Sequence, residues 1–226
     1  MQRKGQEQMN LPSFDGSAGD IECARLAELA TGKTVLELGT LVGRSTIAMA
    51  RTAEHVTTVD DHTGADTLSL FLGNLDTYEV KDKVTPIIGR TENVVPLLTE
   101  TFGMAFIDAD HSYGGALRDL WNVNRVVEPG GVIACHDYLD LWELHFGVAQ
   151  AVDEFCTQTD WRIVETVHSM VVLRQGAATD YRGDAAAARL SELLGAIRDP
   201  ALAVSHACPG ARCKLCGQLE LLRGVA

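Results

Sequence analysis

The chain has 226 residues, 46% hydrophobic and 22% charged, an ordinary globular balance for one large domain or one domain with a short appendage. Lys and Arg number 19 against 31 Asp and Glu, a formal net charge of -12; such a surface repels phosphate backbones and anionic bilayers, which argues against nucleic acid and membrane as partners. No run reaches transmembrane length, and Met1–Gln8 lacks the apolar stretch of a signal peptide, so the expected compartment is cytoplasmic and the six cysteines are expected as reduced thiols or metal ligands.

Residues 1–15 are polar and form a leading segment without a folding pattern. Asp20 is placed to cap a helix in which Ile21, Ala24, Ala27, Leu29 and Ala30 recur at helical spacing, ended by Thr31-Gly32. Short apolar runs then alternate with helical segments. Strands are expected at 34–38, 55–60, 84–88, 104–108 and 131–135, with helices at 45–53, 65–80 and 93–101 between the earlier ones. Pro86 suits the third strand to an edge position. Leu117, Leu120, Trp121 and Val127 trace a further helical face, and another helix is expected at about 147–156. Two last strands, near 161–166 and 169–174, meet at Val167-His168 with no helix between them, so they should form an antiparallel hairpin. The pattern predicts an α/β fold: a Rossmann-like, doubly wound, mostly parallel sheet over residues 16–175. Residues 176–226 form a separate extension, an Ala/Leu-rich helix followed by a cysteine cluster.

In such a sheet, ligands lie beyond the carboxyl ends of the strands. The loop after the first strand holds Gly39, Thr40 and Gly43, with Ser45 opening the next helix and Glu37 just before. The spacing G-x-x-x-G is not the G-x-G-x-x-G of dinucleotide sites, and an acid at Glu37 would repel a pyrophosphate while suiting an ammonium group. An NAD-dependent oxidoreductase is therefore disfavoured. Asp60, with Asp61 beside it, ends the second strand, where a carboxylate can accept from both ribose hydroxyls.

Glu37-x-Gly39-x-x-x-Gly43-x-Ser45 and Asp60, followed by Phe106–Tyr113 and Val127–Tyr138, resemble the motifs of class I S-adenosylmethionine (SAM) dependent methyltransferases. The branch resembled is that of small-molecule O-methyltransferases, which includes macrocin-type and cephalosporin-biosynthesis relatives. The resemblance covers roughly residues 16–175 and implies a seven-stranded sheet with a final antiparallel hairpin. It implies that the backbone around Gly39 and Gly43 holds the methionine end of SAM, that Glu37 lies near the amino group, and that Asp60 binds the ribose. Gly89, Arg90 and Thr91 would flank the adenine.

Asp108 and Asp137 end the fourth and fifth strands. If those strands are neighbours, the two carboxylates share one crevice and repel each other unless a cation or proton lies between them. Oxygen ligands suit a hard ion such as Mg²⁺, and the resembling metal-dependent enzymes place ligands at these two positions. The pattern departs from theirs beside Asp137, where His136 and Tyr138 stand in place of a second acid or Asn. His111 is the candidate general base, with His136 as substitute or as the group that orients Asp137. Tyr113 and Tyr138 are candidates for the acceptor pocket.

In the extension, Cys213-x-x-Cys216 is a chelating pair that Cys208 or His206 could complete as a Zn²⁺ site; free thiols or an oxidisable pair are the alternatives. Cys23, Cys135 and Cys156 are expected as packed apolar residues. The sequence thus predicts methyl transfer from SAM to a hydroxyl of a small metabolite, a sugar or natural-product precursor. The rival reading is a non-catalytic SAM- or nucleotide-binding module whose tail contacts proteins. Assembly into a homo-oligomer is compatible with both.

Overall fold

The computed structural model describes residues 10–12, 17–139 and 146–176. The extension that carries Cys208, Cys213, Cys216 and His206 lies outside them. Seven strands, β1 (Thr34–Leu38), β2 (His55–Asp60), β3 (Val84–Ile88), β4 (Phe102–Ile107), β5 (Val127–Cys135), β6 (Trp161–Val167) and β7 (Met170–Gln175), form one sheet in the order β3-β2-β1-β4-β5-β7-β6. β1 to β5 are parallel, and β7 runs antiparallel to both β5 and β6. Pro86 sits on β3 at the sheet edge, where a missing amide donor is tolerated. The helices are α1 (Asp20–Ala30), α2 (Arg44–Ala50), α3 (Thr67–Thr77), α4 (Thr91–Val94), α5 (Tyr113–Asn124) and α6 (Phe146–Gln158).

Side chains on a strand alternate between faces, and the apolar strands of this sheet feed two cores. Leu36, Leu38, Ala105, Ile107, Ile133 and Leu173 pack with residues of α5 and α6. Val35, Val56, Met104, Phe106, Ala134 and Val172 pack with α1, α2 and α3. Glu37 shares the face of Val35, so the alternation buries a carboxyl among apolar neighbours. Cys23, Cys135 and Cys156 are buried, as expected for packed apolar residues. No helix among the described residues is long and apolar enough to cross a membrane.

Several boundaries differ from the sequence expectation. Gly19, not Asp20, is the N-cap of α1, and that helix buries Glu22, Cys23, Leu26, Leu29 and Ala30 while Ile21 faces solvent. Val127 does not continue the α5 face; it opens β5, four residues earlier than the apolar run suggests, because Glu128-Pro129-Gly130 is exposed and reads as a turn. The helix expected over 93–101 is one α-helical turn plus a 3-10 turn at Val95–Leu97, cut short at Pro96. The hairpin turn is His168-Ser169, between Val167 and Met170.

The sheet order reverses between β1 and β4, so the connections leaving their carboxyl ends diverge and open a crevice. The ladder runs one residue past each strand: Gly39 N donates to Val59 O (2.9 Å), Asp108 N to Leu38 O (2.8 Å) and His136 N to Ile107 O (3.0 Å). Those bonds bring the first residues after β1, β4 and β5 side by side. The face away from the Gly39 loop is held by α6, where Phe155 is fully buried and meets Trp121 edge-to-face at 5.4 Å. Phe155→Ala should cost about 3–5 kcal/mol, read as a lowered urea midpoint at unchanged m-value; a loss below about 1 kcal/mol would contradict this packing.

Candidate active site at the strand ends

Gly39 has φ +83°, and a Cβ there would lie 2.0 Å from the Asp108 carbonyl oxygen. Only glycine lets the loop after β1 press against the loop after β4. Leu41 also takes a left-handed φ of 49°, which turns its amide toward Asp60. The Asp60 carboxylate holds this loop: Oδ2 accepts from Thr40 N (2.7 Å) and Leu41 N (3.0 Å), and Oδ1 accepts from His62 N (2.7 Å). Burial would raise the Asp60 carboxyl, but these amide donors outweigh it and lower it. The sequence reading made Asp60 a ligand for ribose; its grip on the loop was not visible there. Oδ1, with one amide donor, keeps a lone pair for a hydroxyl.

These loops wall a cavity of about 500 Å³. Of the residues expected to hold the cofactor, Gly39, Thr40, Ser45, Asp60 and Asp61 line it, as do Arg90, Thr91 and Asp108. His111 lines it too, alongside Asp110. Glu37, Gly43, Gly89, His136 and Asp137 are not on its wall. Gly43 instead starts α2 at φ +89°, where a Cβ would meet the Phe71 ring at 2.7 Å.

Glu37 corrects an expectation. It is 0% exposed, and its carboxyl accepts from Ser45 Oγ and Thr46 Oγ1 at 2.5 Å each. It braces the start of α2 from beneath the loop rather than facing a ligand amine. Burial, strengthened by Asp108 and Asp60, raises it to about 8 even against the two hydroxyl donors. A carboxyl so placed is largely neutral near pH 7, so repulsion of a pyrophosphate by Glu37 does not hold as an argument against NAD.

β4 and β5 are neighbours, and Asp108 and Asp137 come together at their ends with His111, though only Asp108 of the two acids is on the cavity wall. His111 Nε2 lies 3.4 Å from Asp108 Oδ1 and 3.2 Å from Asp137 Oδ2. The hydrogen bond to Asp108 raises the His111 imidazole above its ordinary value despite partial burial. His136 lies on the other side of the acids, 7% exposed. Its Nδ1 is 3.4 Å from Asp108 Oδ1 and 3.1 Å from Asp137 Oδ1, while Nε2 is 3.2 Å from Glu22 Oε2. Burial would lower His136, but the charge of Asp108, with Asp137 and Glu22, raises it far above the ordinary range. These three carboxylates favour the charged imidazole, which makes His136 a poor candidate for a substitute base. Burial would likewise raise Asp108, and the two imidazoles hold it well below the usual carboxylate range.

Glu22 completes this chain of charges and was missed from sequence. Its Oε1 accepts from Ser169 N (3.0 Å) and Ser169 Oγ (2.7 Å), and Oε2 from Gly19 N (2.8 Å). Burial opposes its ionisation, but His136 outweighs that and holds it at about 2. The available signal was an acid inside the apolar face of α1. Tyr113 and Tyr138 are not on the cavity wall; their hydroxyls donate to Glu154 (2.5 Å) and Asp153 (2.8 Å) on α6.

Glu37 generates a test. Its folded-state pKa of about 8 lies above the ordinary 4.5, so its favourable contribution is complete below the lower value and is lost as pH rises through the upper one. The stability of Glu37→Gln relative to wild type should therefore climb between about pH 5 and pH 8 in denaturant titrations. A difference that stays flat over that window would mean that the carboxyl ionises normally.

Residues 36–138 match a family model described as a methyltransferase domain. Among solved structures, the O-methyltransferase TomG from Streptomyces achromogenes, involved in tomaymycin synthesis and solved with SAM, is 19% identical with a TM-score of 0.60, over 71% of this chain and 82% of that one. An O-methyltransferase from Bacillus cereus, in complex with S-adenosylhomocysteine (SAH), is 21% identical with a TM-score of 0.58, over 74% and 85%. An rRNA methylase from Streptococcus thermophilus is 16% identical with a TM-score of 0.53, over 72% and 99%. Likeness at these identities is likeness of fold, and this fold is shared by proteins named for different acceptors. The domain match runs from within β1 to just past β5, and the structures that share this fold include O-methyltransferases solved with SAM or SAH.

Proposed function

We propose that this domain methylates a hydroxyl of a small acceptor, a sugar or natural-product precursor, with His111 as the proton acceptor. The observation that carries the reading is the placement of His111 on the cavity wall, 3.4 Å from Asp108 and 3.2 Å from Asp137. The residues fit SAM: a glycine loop too tight for any side chain, the Asp60 carboxylate with acceptor capacity left, and a cavity of about 500 Å³, within the range of small-molecule sites. Bound SAM supplies an electrophilic methyl group. A hydroxyl attacking it must lose its proton, and a nearby imidazole is suited to take it near neutral pH. The imidazole ring of His111 accepts that proton, and Asp108 and Asp137 stabilise the imidazolium that forms. The glycine loop and the cavity wall would position cofactor and acceptor for the transfer, and such positioning supplies much of the rate. The names of TomG and the B. cereus enzyme agree with oxygen as the acceptor atom. A net charge of -12 favours a small acceptor over RNA.

One observation favours a second reading. Asp108, His111 and Asp137 each offer a ligand atom within 4.8 Å of the others, so this set could hold a divalent ion. Such an ion would lower the pKa of a bound hydroxyl, and His111 would then be a ligand, not a base. With His136 already compensating the acid pair, the base reading needs no ion.

Under the base reading, His111→Ala should retain SAH affinity by calorimetry and lose about 100- to 10,000-fold in turnover, measured by mass shift of a methylated acceptor. Turnover at the wild-type rate would place the base elsewhere. Wild-type turnover should also survive EDTA; loss with EDTA and recovery with Mg²⁺ would establish the metal reading instead.

A further inference from the structure

α5 presents an acid on its buried stripe. Asp119 lies with Ala116, Leu120 and Val123 on that face and is 1% exposed. Its Oδ1 accepts from Thr91 Oγ1 at 2.8 Å, while Oδ2 has no hydrogen-bond partner among the described residues. Burial pushes the Asp119 carboxyl up to about 6, and the neighbouring charges of Asp110 and Glu92 offset what Arg118 returns. A buried acceptor without a donor is costly, and buried polar atoms are almost always satisfied in folded proteins. Nothing in the packing of α5 recovers that cost. Asp119 does line the cavity, as does its partner Thr91.

The sheet order says which part of a ligand would arrive there. Across the strand ends, Asp108 follows β4, the Gly39 loop follows β1, Asp60 ends β2 and Thr91 follows β3. That sequence of positions parallels a ligand laid out as methionine, ribose and base. Asp119 reaches the last of them through Thr91. The base of SAM is adenine, and its only hydrogen-bond donor in the nucleoside is the exocyclic N6 amine.

We propose that Asp119 is a specificity residue for the cofactor: its Oδ2 accepts a hydrogen bond from the N6 amine of adenine, with the Thr91 hydroxyl fixing the carboxylate. The inference rests on SAM as the ligand of this cavity and adds the group that reads its base. It explains an acid that the α5 packing does not need. Hypoxanthine, with an oxygen at that position, would set two acceptors against each other.

The test is calorimetric titration of the full chain with SAH, with its purine analogue carrying hydrogen in place of the N6 amine, and with S-inosylhomocysteine. Wild type should bind SAH about 10- to 100-fold more tightly than the purine analogue, as expected when a buried acceptor loses its donor, and should discriminate more strongly against the inosyl compound. In Asp119→Asn, with Oδ1 kept for Thr91, the amide would face the base as a donor; SAH should weaken by about 10-fold and the preference over the inosyl compound should shrink or reverse. Equal binding of SAH and the purine analogue by wild type would overturn the proposal without any variant. So would an unchanged SAH-to-inosyl ratio in Asp119→Asn. Absence of SAH binding to wild type would instead sink the SAM reading itself, and the proposal with it.

Discussion

The Asp60 carboxylate is the interaction on which the site depends. It takes the amides of Thr40 and Leu41 on one oxygen and that of His62 on the other. Those amides belong to a loop whose backbone is in left-handed conformations at Gly39, Leu41 and Gly43, which would not persist for Leu41 without an external partner. The loop in turn sits against the Asp108 carbonyl with no space for a side chain at Gly39. Three strand ends, those of β2, β1 and β4, are thereby fixed relative to one another. That spacing sets the glycine loop directly against the strand end that carries Asp108.

Beside this loop, the structure runs a line of alternating charge from the protein interior to the cavity: Glu22, His136, the pair Asp108 and Asp137, then His111. Two neighbouring carboxylates would ordinarily force one another to protonate. His136 removes that conflict from the buried side, and Glu22 anchors His136 through α1 and the β6–β7 turn. His111 alone in the line has a substantially exposed side chain, at 39%. The solvent-facing member of the line is thus at the cavity end, and the others are buried or nearly so.

Much of the fold was legible because the strands are short apolar runs bounded by glycine or polar turns, and because the last two lack a helix between them. The start of β5 was not, since Pro129, Gly130 and Gly131 carry turn chemistry into an extended strand. In the site, Gly39, Asp60, Asp108 and Asp137 could be picked out because each stands at the carboxyl end of a strand, a position that sequence alone locates. Glu37 was misjudged: its place next to the glycine loop suggests a ligand group, but the period-2 alternation turns it inward to Ser45 and Thr46. Glu22 and Asp119 escaped notice because their meaning lies in partners far along the chain, His136 at 114 positions and Thr91 at 28. An acid on the buried stripe of a helix is the local trace that such pairings leave.

The central claim, that the Asp60-held loop is the seat of SAM, is tested most directly by a crystal structure of the chain with SAH. The account predicts the amino-acid end over Gly39 and Thr40 and a ribose hydroxyl on Asp60 Oδ1. It also predicts the sulfur beside Asp108 and His111. Density for SAH elsewhere, or a loop that must release Asp60 to admit it, would contradict the account.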